Sequence, residues 1–91
     1  MLVVEFFIEP FVEGHPGPHV LSAVAAAEAL GAEVEFGPFG STCTIVPGLA
    51  GRLADAVFAA AFEHGATRVT MQADLADAEP ASDAEREEDA A

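Results

Sequence analysis

Apolar and polar residues alternate in four stretches of this chain and recur at helical spacing in two others. Leu2 to Glu9, LVVEFFIE, is rich in Val, Phe and Ile and stops before Pro10, which predicts a strand. Val4, Phe6 and Ile8 fall on one face of it; Val3, Glu5, Phe7 and Glu9 fall on the other. Phe11 to Pro18 reads as a loop, with Pro18 suited to the first turn of a helix. From His19 to Leu30, Val20, Ala23, Val24, Ala27 and Leu30 recur at helical spacing, and Gly31 is a natural stop. Glu33 to Phe36 predicts a short strand. Gly37, Pro38 and Gly40 make a turn, and Ser41 to Val46 returns as a strand. Pro47 and Gly48 lead into a second helix, Leu49 to His64, closed by Gly65. Its apolar residues, Ala50, Leu53, Ala54, Val57, Phe58, Ala61 and Phe62, make a stripe wider than one buried face needs. The expectation is that Phe58 or Phe62 lies toward an edge or another surface. Thr67 to Leu75 alternates once more, with Val69, Met71, Ala73 and Leu75 against Arg68, Thr70, Gln72 and Asp74.

The order strand, helix, strand, strand, helix, strand is the split βαβ pattern of a ferredoxin-like α+β sandwich. Such a fold has an antiparallel sheet with two helices on one face, and its first strand lies between the third and the fourth. The expected core is Val4, Phe6, Ile8, Val34, Phe36, Cys43, Ile45, Val69 and Met71. The opposite face would carry Val3, Glu5, Phe7, Thr42, Thr44, Val46, Thr70 and Gln72. That mixture of a carboxylate, hydroxyls, an amide and an aromatic ring is neither a core nor an ordinary solvated surface.

Composition adds a boundary and a charge. From Asp77 the chain reads DAEPASDAEREEDAA, acidic and without a large apolar residue, so 1–76 is expected to fold and 77–91 to be a disordered tail. A single core of that size gives marginal stability, which favours an oligomer. The net charge is −13 and every cation is an arginine. Clustered Lys and Arg, which phosphate backbones require, are missing, so a nucleic-acid partner is not expected. A cationic ligand fits the charge better, although a high-salt cytoplasm or a GC-rich genome would leave the same composition. Cys43 is alone, so no intrachain disulfide can form. The N-terminus has no basic n-region and no apolar run approaches the ~18 residues of a membrane span, so a cytoplasmic protein is expected.

Candidate chemistry is sparse. Glu5, Thr42, Thr44, Thr70 and Gln72 share the open face. Two readings fit them: a surface where Thr is simply a good strand former, or a small-ligand platform with Phe7 for stacking and a second subunit as cover. His15 and His19 flank a Gly-Pro loop and share no helical face, so a metal site is not expected. Gly37-Pro38-Phe39-Gly40 is too short for a phosphate-binding Gly-rich loop and no Lys follows it. Cys43 alternates inward as a core residue. No Ser-His-Asp or Cys-His spacing and no catalytic carboxylate pair stands out.

Three segments, VVEFFIEP, FGPFGST and HGATRVTMQADL, together resemble the YkoF-like thiamine-binding family. Members typically have a first strand ending in Pro, as at Glu9-Pro10, a Gly-Pro-x-Gly-Thr-Thr type hairpin, matched by Gly37 to Thr42 with Ser41 for the first Thr, and Gly-Ala-x-Arg-Val into the last strand, matched by Gly65 to Val69. The resemblance spans Val3 to about Leu75. It implies a ferredoxin-like fold, a homodimer or homotetramer, and binding of thiamine or its hydroxymethylpyrimidine part without catalysis and without a cofactor. Ser41 and Thr42 are ligand-binding candidates by motif match; Glu5, Phe39 and Thr44 join them from the open-face argument. The sequence leaves two alternatives, a regulatory or oligomerisation module and a cofactor-free enzyme of the dimeric-barrel type.

Overall fold

The computed structural model describes residues 1–12, 14–37 and 40–76. Strand β1 is Leu2–Glu9, helix α1 Pro18–Ala29, β2 Glu33–Gly37, β3 Gly40–Ile45, α2 Ala50–Glu63 and β4 Arg68–Leu75; a 3-10 turn, Pro47–Leu49, leads into α2. The tail and the turn residues Pro38 and Phe39 lie outside the described residues. The four strands form one antiparallel sheet in the order β2-β3-β1-β4. This is the ferredoxin-like arrangement, with the first strand between the third and the fourth. No described helix is long and apolar enough to cross a membrane.

The alternation sorts the sheet as the sequence predicts. Val4, Phe6 and Ile8 of β1 and Cys43 and Ile45 of β3 are buried against Val20, Ala23 and Ala27 of α1 and Leu53, Val57 and Ala61 of α2. Alanine on the facing stripe of α1 removes side-chain bulk, so large strand residues such as Phe6 fill the layer between. Each helix ends on a glycine at positive φ, Gly31 at 87° and Gly65 at 106°. Beyond them the amides of Ala32 and Ala66 return to the carbonyls of Ala27 and Ala61 at 3.3 and 3.0 Å, and this stops the helix. Phe58 and Phe62 are left exposed on α2 and pair with each other, ring centroids 6.5 Å apart.

One expected core residue is not in the core. Phe36 has the inward parity of Val34 but is 48% exposed. It sits near the end of edge strand β2, opposite Ser41, and lines an apolar cleft with Phe11 and Pro16 of the loop that precedes α1 and with Val20 of α1. Parity assigns a face; it does not say how completely that face is covered.

β1 holds the sheet together unevenly. Its pairing with β4 runs the full length, from Leu2↔Leu75 to Glu9↔Arg68. Its pairing with β3 stops at Phe6↔Ser41, while β2 and β3 pair on to Gly37↔Gly40. Gly40 is where β3 leaves the ladder. Its φ is +145°, and a Cβ there would lie 3.0 Å from the Phe6 carbonyl oxygen, so only glycine fits.

Candidate functional site

The open face of the sheet faces away from both helices, and no described element covers it. Residues directly opposite in a ladder share a face. One row therefore crosses all four strands as Glu35, Thr42, Glu5 and Gln72, and the next as Glu33, Thr44, Val3 and Asp74. Phe7 and Thr70 form a shorter row on the other side of Glu5, where β3 has already left β1.

A cleft of about 320 Å³ opens at that point. Glu5, Thr42, Thr70 and Gln72 line it with Phe7, and the backbone at Gly37 and Gly40 closes one end. The volume is at the lower end of the range for small-ligand sites. Glu5 lies at its centre, exposed, between Thr42 on one side and Gln72 on the other. The amide nitrogen of Gln72 donates to Asp74 at 3.2 Å, which leaves its oxygen free to accept. Phe7 is half-buried and tilts against Phe11, centroids 5.6 Å apart, so its ring is held in place from the loop side. The cleft thus offers carboxylate and amide oxygens as acceptors, two hydroxyls that donate or accept, and one aromatic surface.

The face is acidic beyond the cleft. Glu5, Glu9, Glu33, Glu35 and Asp74 all point to this side, against Arg68 as the one cation among the described residues of the face. Arg68 reaches Glu9 at 4.0 Å, an exposed contact of small energetic worth. Such a face attracts cations and repels anions.

The sequence candidates divide. Glu5 and Thr42 come together in the cleft. Ser41 also lines it, but from below: it is 4% exposed and shares the inward parity of Cys43 and Ile45. Thr44 is one row away, between Val3 and Glu33, outside the cleft lining. Phe39 lies outside the described residues. Thr70 and Gln72, placed on this face by their alternation, complete the cleft. Glu33, Glu35 and Asp74 were missed as members of the face, although the same parity count places them there.

Other reactive groups lie elsewhere. Burial raises the Cys43 thiol above its ordinary value of 9.0, so it is a poor nucleophile. His19 donates from Nε2 to the Pro10 carbonyl at 2.6 Å, and His64 donates from Nδ1 to the Ala60 carbonyl at 2.8 Å. A second, more apolar cleft of about 510 Å³ lies between Phe11, Pro16 and Phe36, beside the start of α1.

No family model and no curated protein matches the chain. Among solved structures it is similar to protein SP2199 from Streptococcus pneumoniae, at 16% identity and a TM-score of 0.53, over 96% of this chain and 97% of that one. That likeness concerns the fold.

Proposed function

We propose that this protein binds thiamine or its hydroxymethylpyrimidine part on the open sheet face, without catalysis, as a carrier, store or sensor and as an oligomer. The observation that carries the reading is the row Thr42, Glu5, Gln72 lying beside the Phe7 ring in one cleft. An aminopyrimidine presents an amino group and ring nitrogens. Glu5 accepts from the amino group, the Thr42 and Thr70 hydroxyls donate to ring nitrogens, and the Gln72 oxygen is a further acceptor. Phe7 stacks on the ring. The thiazolium cation of thiamine then meets the acidic rim formed by Glu33, Glu35 and Asp74. The resemblance of the three sequence segments to the YkoF-like family supports the same choice of ligand.

Calorimetric titration with thiamine, thiamine monophosphate and hydroxymethylpyrimidine tests this. Thiamine is expected to bind more tightly than its phosphate, whose anion meets the acidic face. Thr42→Val should keep the melting temperature of the free protein and weaken binding by on the order of 1–3 kcal/mol. Glu5→Gln should cost more, because it removes a charge-assisted hydrogen bond. Equal affinity in the wild type and both variants, or no heat with any of the three compounds, rejects the proposal.

A further inference from the structure

We infer that the apolar cleft beside the start of α1 is a second small-molecule site, suited to an uncharged aromatic ligand and separate from the polar cleft of the open face. The inference is independent of the thiamine reading.

The cleft has the size and the lining of a ligand site. Its volume of about 510 Å³ lies within the range of small-molecule pockets. Pro10, Phe11, Val12 and Pro16 of the loop, Val20 of α1 and Phe36 of β2 line it. No charged side chain is among its described lining residues, although the chain carries −13. Phe11, Val12 and Phe36 are exposed. Apolar side chains gathered around a hollow favour a molecule whose own apolar surface leaves water there. Phe58 and Phe62 are exposed as well, but they line neither cleft.

The wall of the cleft is fixed and its polar groups are engaged. His19 donates from Nε2 to the Pro10 carbonyl and so ties the start of the loop to α1. Gly17 makes room for that ring, since a Cβ there would lie 2.6 Å from it. The His15 amide donates to the Val12 carbonyl at 3.1 Å, and the Gly17 carbonyl accepts from the amides of Val20 and Leu21 at 3.0 and 3.1 Å. Pro10 and Pro16 have no N–H to offer. The carbonyls of Pro10, Val12 and Gly17 thus already have partners within the protein. What remains for a ligand is contact with two phenyl rings, two pyrrolidine rings and the valines. An uncharged aromatic molecule gains from such contact, whereas a charged one would lose its water without a partner in exchange.

The two clefts adjoin but differ in chemistry. Gly37 lines both, and Phe7 of the polar cleft packs on Phe11 of the apolar one. The polar cleft centres on Glu5 in an acidic face, and the apolar cleft has no described carboxylate. Charge therefore sorts ligands between them, cations to the first and neutral rings to the second.

Fluorescence titration of the full chain with phenylnaphthylamine tests this, because this neutral probe brightens when it leaves water. One probe per chain is expected to bind. Anilinonaphthalene sulfonate, which adds an anionic group to the same rings, should bind at least about tenfold more weakly. Phe36→Glu and Val12→Glu should each weaken the neutral probe by about tenfold, since each sets a carboxylate at the cleft. Phe62→Glu on α2 should leave its affinity unchanged. All three side chains are exposed, and circular dichroism checks that each variant is folded. Excess thiamine should not displace the probe, and light scattering should give the same mass with and without it. No binding, several probes per chain, equal affinity for the two probes, or Phe36→Glu and Val12→Glu without effect would each overturn the inference. So would weakening by Phe62→Glu or displacement by thiamine. A fall in mass on adding the probe would also overturn it, by showing that a second copy of the chain occupies the cleft.

Discussion

At the scale of single residues, Gly40 and Cys43 show how backbone and burial decide what a position can be. Gly40 holds a φ that L side chains rarely adopt, and its missing Cβ leaves room for the Phe6 carbonyl. Gly40→Ala should cost on the order of 1–3 kcal/mol of stability, read as a lower urea midpoint with an unchanged slope. Cys43 is 2% exposed and its thiol is pushed above the ordinary value of 9.0. Its folded-state pKa is raised, so its contribution to stability is full below that ordinary value and is lost as pH rises through the folded one. The urea midpoint should fall above about pH 9, and Cys43→Ala should flatten that slope. At pH 8 a thiol reagent should label the native protein far more slowly than the urea-unfolded chain. Equal rates would mean that the thiol is accessible.

At the scale of elements, the alternation in LVVEFFIE and RVTMQADL and the helical spacing around Leu53 were enough to give four strands, two helices and the side each presents. What they could not give is position along a face. Thr44 and Thr42 have the same parity, but only the ladder register with β1 shows that one lies beside Glu5 and the other beside Val3. Thr70 and Gln72 enter the cleft because β4 pairs with β1 in one particular register, a tertiary fact. Phe36 is left half exposed because it sits near the end of an edge strand, beside an open apolar cleft. The exposed and buried stripes of α2 make a further contrast. Leu53 is fully buried, and Leu53→Ala should cost ~2–5 kcal/mol in chemical denaturation. Phe62 is half exposed, and Phe62→Ala should cost far less, about 1 kcal/mol or under.

At the scale of the whole molecule, charge dominates. Each chain carries −13, so copies of it repel one another at long range. The Debye length falls from about 30 Å at 0.01 M salt to about 8 Å at 0.15 M, and the long-range term is screened first. Association into the proposed oligomer should therefore tighten over that range. Removing 77–91, whose acids outnumber Arg86, should tighten it at low salt in the same way. Sedimentation at the two ionic strengths, with and without that segment, checks both statements. Weaker association at 0.15 M would show that opposite-charge contacts between copies outweigh the net charge.

The early end of the β1–β3 ladder also sets where the sheet can open. Past Phe6↔Ser41 the β2–β3 hairpin is bonded to itself and not to β1, whereas Leu2 to Phe6 are held on both sides. Amide protons near Gly37 and Gly40 should exchange with deuterated solvent well before those of Val4 and Cys43, because this end separates without disturbing the central strands. The cleft lies across that junction. A molecule seated there would link the loose end to the fixed one, and its binding would register as slowed exchange at the hairpin while the centre of the sheet stayed unchanged.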